Sequence, residues 1–132
     1  MADEPLQQLR AVLVAGRMDA EAFVSLLSED IVWDLSRSGF PDAGIYYGID
    51  GVRDWFRGLT DAFGDAHYEV EQMQEADERV AALMQVRGHG PNSGIDVEYR
   101  FAVVYSFQEG KIVRMDRYDD WATALDALAP PA

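Results

Sequence analysis

The chain has 132 residues, 48% hydrophobic and 11% aromatic, which suits one domain with a single core and is too apolar for a disordered chain. Its 24 acidic and 11 basic residues give a formal charge of -13, which repels phosphate backbones and anionic bilayers and so argues against nucleic acid and membranes as partners. The absence of cysteine excludes disulfides, thiolate metal centres and a cysteine nucleophile.

The opening MADEPLQQLR carries acids where a secretory leader carries basic residues, and no apolar run approaches the ~18 residues of a membrane span, so a soluble, cytoplasmic protein is expected. Leu6, Leu9 and Leu13, with Val12 beside them, recur at helical spacing and predict a first helix that stops at Gly16. Asp19 is placed to cap a second, short helix with Glu21 in its first turn and Phe23, Leu26 and Leu27 as its buried stripe. Ile31 to Leu35 predicts a strand, and SRSGFPDAG after it a loop. Asp50 is placed to cap a third helix with apolar positions Val52, Trp55, Phe56, Leu59 and Phe63, closed by Gly64.

Tyr68 to Met73 and Arg79 to Arg87 predict two strands around the polar turn Glu75-Ala76-Asp77-Glu78. In the second strand Val80, Ala82, Met84 and Val86 share one face, and Leu83, Gln85, Arg87 and His89 share the other. The glycine-rich stretch from Gly88 to Gly94 leads into the strongest signal in the chain. From Val97 to Phe107 the odd positions are Val97, Tyr99, Phe101, Val103, Tyr105 and Phe107, and the even ones Glu98, Arg100, Ala102, Val104 and Ser106. This strict period of two breaks at Gln108-Glu109-Gly110 and resumes over Lys111 to Tyr118, which predicts a long β-hairpin. Asp120 to Leu128 is an amphipathic helix through Trp121, Leu125 and Leu128. Helices first and sequential strands after them predict one α+β domain over residues 1–132, a cone-shaped, curved mixed or antiparallel sheet wrapped around N-terminal helices.

Several phrases in this order resemble the nuclear-transport-factor-2-like superfamily, and within it the SnoaL-like, polyketide-cyclase-like branch. They are SEDIVWD after the second helix, YYGIDGVRDWF opening the third, GHGPNSGIDVE between strands, EGKIVRMDRY at the last turn and YDDWATALDAL at the end. The resemblance implies a cone with an apolar pocket and a homodimer through the outer sheet face, here Ala102, Val104 and Tyr118 between Arg100, Arg114 and Asp116. It also implies catalytic positions, most of which are vacated. Where ketosteroid isomerases of this superfamily carry a tyrosine and two acids, this chain has Leu9, Leu35 and Val103. Leucine cannot take a proton and valine cannot donate one. The epoxide-hydrolase water site would fall on Met84, Val86, Arg117, Trp33 and Leu35, and only His89 matches the histidine of the aldol cyclases.

The candidate catalytic residues are therefore Asp119, Arg117, Asp34 and His89. Arg117 and Asp119 continue the odd face beyond Val113 and Met115, although Asp119 is equally placed to cap the last helix. A regular strand turns Asp34 away from Trp33 and Leu35 towards Arg37, and His89 sits at a glycine-flanked loop. The expected pocket lining is Trp33, Leu35, Tyr47, Trp55, Phe56, Met84, Val86, Tyr99, Phe101, Val103, Tyr105 and Met115. No histidine or carboxylate pattern has metal-ligand spacing and no glycine-rich loop follows a strand, so neither metal nor cofactor is expected. Three readings stay open: a cyclase or isomerase acting on a small apolar metabolite, a non-catalytic, homodimeric binder of a small apolar ligand, or a homodimeric scaffold whose cavity is filled by its own side chains.

Overall fold

The computed structural model describes residues 3–14, 19–37, 43–63, 66–89 and 96–128. The predicted stops at Gly16 and Gly64, the Gly90 to Gly94 connection and most of the loop after Arg37 lie outside them. Among the described residues the elements run α1 (Asp3–Leu13), α2 (Ala20–Val24), β1 (Leu27–Asp34), β2 (Ile45–Tyr47), α3 (Gly48–Phe63), β3 (His67–Ala76), β4 (Arg79–His89), β5 (Asp96–Gln108), β6 (Lys111–Tyr118) and α4 (Trp121–Leu128).

Local chemistry explains most of these boundaries. Asp19, in extended conformation at φ -84, accepts the backbone N–H groups of Glu21 and Ala22 at 3.1 and 3.2 Å and so starts α2. The helix is shorter than its stripe suggested: Leu26 lies in the turn and Leu27 opens β1. Asp50 sits inside the first turn of α3, not at its cap. The helix begins two residues earlier, where Gly48 at φ 74 lets the chain turn directly out of β2. At three residues, β2 is too short to show periodicity, and the sequence does not predict it. Glu75 and Ala76, assigned to a turn by their polarity, are the last residues of β3; the turn itself is Asp77-Glu78, with Asp77 at φ 54. The hairpin between β5 and β6 turns at Glu109 and Gly110, both left-handed at φ 52 and 81, the two-residue geometry whose twist matches the flanking strands.

The six strands form one sheet in the order β2-β1-β6-β5-β4-β3. β1 and β6 are parallel and every other neighbouring pair is antiparallel, so the sheet is mixed, curved and unclosed, with β2 and β3 at its edges. A bulge shifts the β5–β6 register: Phe107 pairs with Ile112 but Ser106 with Arg114. Ile112 is therefore fully buried while Val113 is only half-buried, and the odd parity expected along β6 holds from Met115 onward.

The concave face packs Ile31, Trp33, Leu35, Val80, Ala82, Met84, Val86, Phe101, Val103, Tyr105 and Met115 against Leu9 and Leu13 of α1, Phe23 and Val24 of α2, and Val52 and Phe56 of α3. A second, smaller core lies on the convex face. There Ala81, Leu83, Ala102 and Val104 are covered by Ala124 and Leu128 of α4. Asp120 accepts the Thr123 N–H at 2.7 Å at the start of this helix, and Arg79 donates to the Leu128 carbonyl at 2.8 Å at its end. Ala102 and Val104, which the sequence offered as the two-fold interface, are 0% and 1% exposed under the chain's own helix.

Leu9 joins α1 to the concave core with no exposed surface. Leu9→Ala should lower the unfolding free energy by about 2–5 kcal/mol in urea titrations, the usual cost of a cavity at a fully buried leucine.

Candidate functional site

Between the helices and the concave face lies a cavity of about 30 Å³, partly open to solvent. Leu13, Phe23, Trp55 and Phe56 form its helical wall; Trp33, Tyr68, Met84, Phe101, Val103, Tyr105 and Met115 form its sheet wall. Its rings meet edge to face. Trp33 and Trp55 have centroids 5.4 Å apart at 85°, Trp55 and Phe56 4.9 Å at 65°, and Phe23 touches both Phe56 and Tyr105, at 5.7 and 6.4 Å.

Among the described residues the lining contains no carboxylate, imidazole or amine. Burial pushes the Tyr105 hydroxyl far above the usual phenol range; burial, helped by Tyr99, does the same for Tyr68. Both are neutral phenols at physiological pH and can donate a hydrogen bond but not act as phenolate bases. The indole Nε1 of Trp33 is buried and finds no hydrogen-bond acceptor among the described residues.

Of the residues expected in the pocket, the structure places Trp33, Trp55, Phe56, Met84, Phe101, Val103, Tyr105 and Met115 on the cavity wall. Leu35 and Val86 are fully buried in the same core without reaching the cavity, and Tyr99 packs beside it. Tyr47 corrects the expectation: 68% exposed, it lies on the other side of β2, because Tyr46 pairs with Trp33 and takes the concave side. Leu13, Phe23 and Tyr68 line the cavity without having been predicted; in sequence each shows only an apolar or aromatic core position, and which core residues border a void depends on how the elements pack.

Of the four candidate catalytic residues, Arg117, Asp119 and Asp34 are not brought together. Arg117 is 3% exposed, two residues beyond Met115, and its guanidinium lies 4.5 Å over the Phe101 ring and 5.8 Å from that of Tyr99, behind the cavity wall. Asp119 is exposed, because β6 ends at Tyr118 and the chain bends there into α4. His89 ends β4 opposite Asp96, and its side chain lies outside the described residues.

Asp34 faces away from the cavity. Its carboxylate accepts the Ser36 N–H at 2.9 Å, the Ser36 hydroxyl at 2.6 Å and Arg114 Nη2 at 3.0 Å, with Arg37 at 3.8 Å. Arg114 also holds Asp116 at 3.0 Å, and Arg37 stacks 4.8 Å over the Tyr118 ring. Burial alone would raise the Asp34 pKa above 3.8, but the two Ser36 hydrogen bonds, then Arg37 and Arg114, outweigh it and hold the carboxyl below that value. Among the described residues no three His, Asp or Glu side chains could hold a metal ion, and no helix is long and apolar enough to cross a membrane.

Residues 7–115 match the family model of the SnoaL-like domain, and the chain belongs to that family. Solved structures share the fold. An NTF2-like protein from Burkholderia thailandensis is 24% identical at a TM-score of 0.74, with 96% of each chain covered. A protein from Jannaschia sp. CCS1 described as a SnoaL-like polyketide cyclase is 16% identical at a TM-score of 0.73, covering 98% of this chain and 94% of its own. A protein with a ketosteroid isomerase-like fold from Catenulispora acidiphila, in complex with trimethylamine, is 13% identical at a TM-score of 0.71, covering 99% and 96%. None of the curated proteins matches the chain.

A carboxyl whose pKa is lower in the folded than in the unfolded chain adds stability above the unfolded value and loses it as pH falls through the folded one. Asp34→Asn should therefore cost about 1–2 kcal/mol at neutral pH, and its deficit should shrink as both proteins are titrated with urea below about pH 4. A deficit that stays constant through the acid range would show that the Asp34 charge contributes nothing.

Proposed function

We propose that the protein binds a small, neutral, largely apolar molecule in the cavity between its helices and its concave sheet face. The observation that carries this reading is the lining itself: among the described residues it is aromatic and aliphatic on every element, with side-chain nitrogen and oxygen atoms only in the indoles of Trp33 and Trp55 and the hydroxyls of Tyr68 and Tyr105. A charged ligand would lose its hydration there without a partner of opposite sign. At about 30 Å³ the cavity holds roughly two water-sized groups as it stands. Met84 and Met115 are its unbranched, polarizable walls, the side chains best able to make room for a larger occupant.

A second reading, a cyclase or isomerase on the same ligand class, draws on the two neutral phenols, which could donate to an oxygen that gains negative charge. No described lining residue can remove a proton. The chemistry that fits such a wall is a reaction promoted by confinement, with one hydrogen bond of help. For assembly, α4 packs over β4, β5 and the end of β6, and among the described residues Ile45 and Tyr47 of β2 are exposed apolar residues near the Asp34–Arg114–Asp116 charges. A homodimer formed through the sheet would use this part and not Ala102 and Val104.

Native mass spectrometry of gently purified protein, compared with its denatured mass, is expected to show a retained neutral small molecule or, after a soak with small ketones, a reversible adduct that raises Tm. Protein with no adduct and no thermal shift across neutral, apolar probes would instead be a scaffold whose core is filled by its own side chains. Sedimentation at micromolar concentration is expected to show a dimer that Tyr47→Asp converts to monomer; wild-type protein that sediments as monomer would remove the assembly from the proposal.

A further inference from the structure

Six side chains that line the cavity form a closed hoop. Trp33 of β1 meets Trp55 of α3 at 5.4 Å, Trp55 meets Phe56 at 4.9 Å, Phe56 meets Phe23 of α2 at 5.7 Å, and Phe23 meets Tyr105 of β5 at 6.4 Å, all edge to face. Met115 of β6 closes the circuit on the sheet, where it stands in register with Trp33 on one side and Tyr105 on the other. Trp55 is half-buried and the other five are buried.

Five of the six are aromatic, and a buried ring held edge to face by its neighbours has little room to turn aside. The members on the sheet are fixed by strand pairing. Phe23, which joins Phe56 to Tyr105, sits on a five-residue helix that is tied on several sides. Asp19 caps that helix, and Glu21 accepts from Arg53 of α3 at 3.0 Å. The Ser25 carbonyl accepts from Lys111 Nζ at 2.8 Å, and the Leu26 carbonyl accepts the Ile112 N–H at 2.9 Å. Moving α2 outward would break these contacts with α3 and β6. Met115 is the member of the hoop that can bend.

We infer that this hoop is the size filter of the cavity, with Phe23 as its specificity-determining residue, and that the ligand is a compact neutral molecule whose buried part is no broader than a single small ring. This rests on the pocket reading above and narrows it by size. The space between the walls is about 30 Å³. Bending of Met84 and Met115 makes room for one small ring, whereas a molecule broad in every direction would need the hoop to part. Greater apolar surface normally strengthens binding, so a filter of this kind reveals itself by reversing that order.

The test compares cyclopentanone with 2-adamantanone, neutral ketones that differ in the breadth of the body carrying the carbonyl. Each is titrated into full-length protein with 13C-labelled methionine methyls, and binding is read by NMR from the Met84 and Met115 signals. Wild-type protein should bind cyclopentanone more tightly, against the order of their apolar surface. Phe23→Ala, which opens the hoop, should tighten 2-adamantanone at least about tenfold, the gain expected from burying two further methylene-sized groups, and reverse the preference. Phe23→Leu should act in the same direction by a smaller factor. Ile31→Ala removes as many carbon atoms as Phe23→Leu from the same core but not from the lining, and should leave the wild-type order in place.

Wild-type protein that binds 2-adamantanone as tightly as cyclopentanone, or more tightly, has no size filter; the inference is then overturned and the pocket stands. A preference unchanged in folded Phe23→Ala or Phe23→Leu, or shifted equally by Ile31→Ala, overturns the assignment to Phe23. If neither ketone moves the methionine signals of wild type, the pocket reading falls and takes this inference with it. The wild-type comparison needs no variant, so it decides on the filter even where both Phe23 variants misfold.

Discussion

β5 must be hidden on both of its faces, and the rest of the molecule is arranged to do it. Phe101, Val103, Tyr105 and Phe107 point to the concave side, and Ala102 and Val104 to the convex side. Paired along its length with β4 and over its second half with β6, the strand can satisfy its backbone but cannot cover its own side chains. The concave side is covered by α1, α2 and α3, which reach the large residues across a curved sheet. On the convex side the small residues Ala81 and Ala102 let α4 come close enough for Ala124 and Leu128 to seal Leu83 and Val104. An acidic or bulky residue at either alanine would remove that close approach.

The cavity follows from the same alternation. The concave positions carry large, stiff rings that meet edge to face, and rigid plates fixed to a curved surface do not fill space as aliphatic chains do. The space left over is bordered by the thioethers of Met84 and Met115 and by a few polar tips. Strand parity puts Asp34, Arg114 and Asp116 on the convex side, where each finds an opposite charge. Arg117, on the concave parity of β6, lies over the Phe101 and Tyr99 rings and is not among the lining residues. Whatever the cavity does, it does with shape, apolar contact and neutral donors.

Membership of the SnoaL-like family accounts for the scaffold and not for the chemistry. A curved sheet closed by helices makes a pocket almost regardless of the residues lining it, and the lining alone decides whether that pocket removes protons, orients an oxygen or only excludes water. The positions at which the sequence resemblance implies a tyrosine and two acids are Leu9, Leu35 and Val103; the first two are fully buried as ordinary core and the third is on the cavity wall.

Much of the architecture was legible in the residues themselves. Period two over β5, helical spacing at Leu9 and Leu13, and the capping chemistry of Asp19 depend only on neighbours in the chain, so the sequence by itself determined the helices, the central hairpin, the α+β order and the apolar character of the concave face. What it could not determine were the features set by contacts between distant residues. The bulge that exchanges Val113 for Ile112 comes from strand register. β2 exists because β1 offers it an edge, and that pairing is what sends Tyr46 inward and Tyr47 into solvent. The end of β6 at Tyr118 leaves Asp119 exposed at the bend into α4, and α4 closes over the face that had looked free for a partner. Which of many core side chains border an opening, and that the Trp33 Nε1 is buried without an acceptor among the described residues, were decided by tertiary packing alone, because a void and an unmatched donor are properties of the space between elements and not of any one of them.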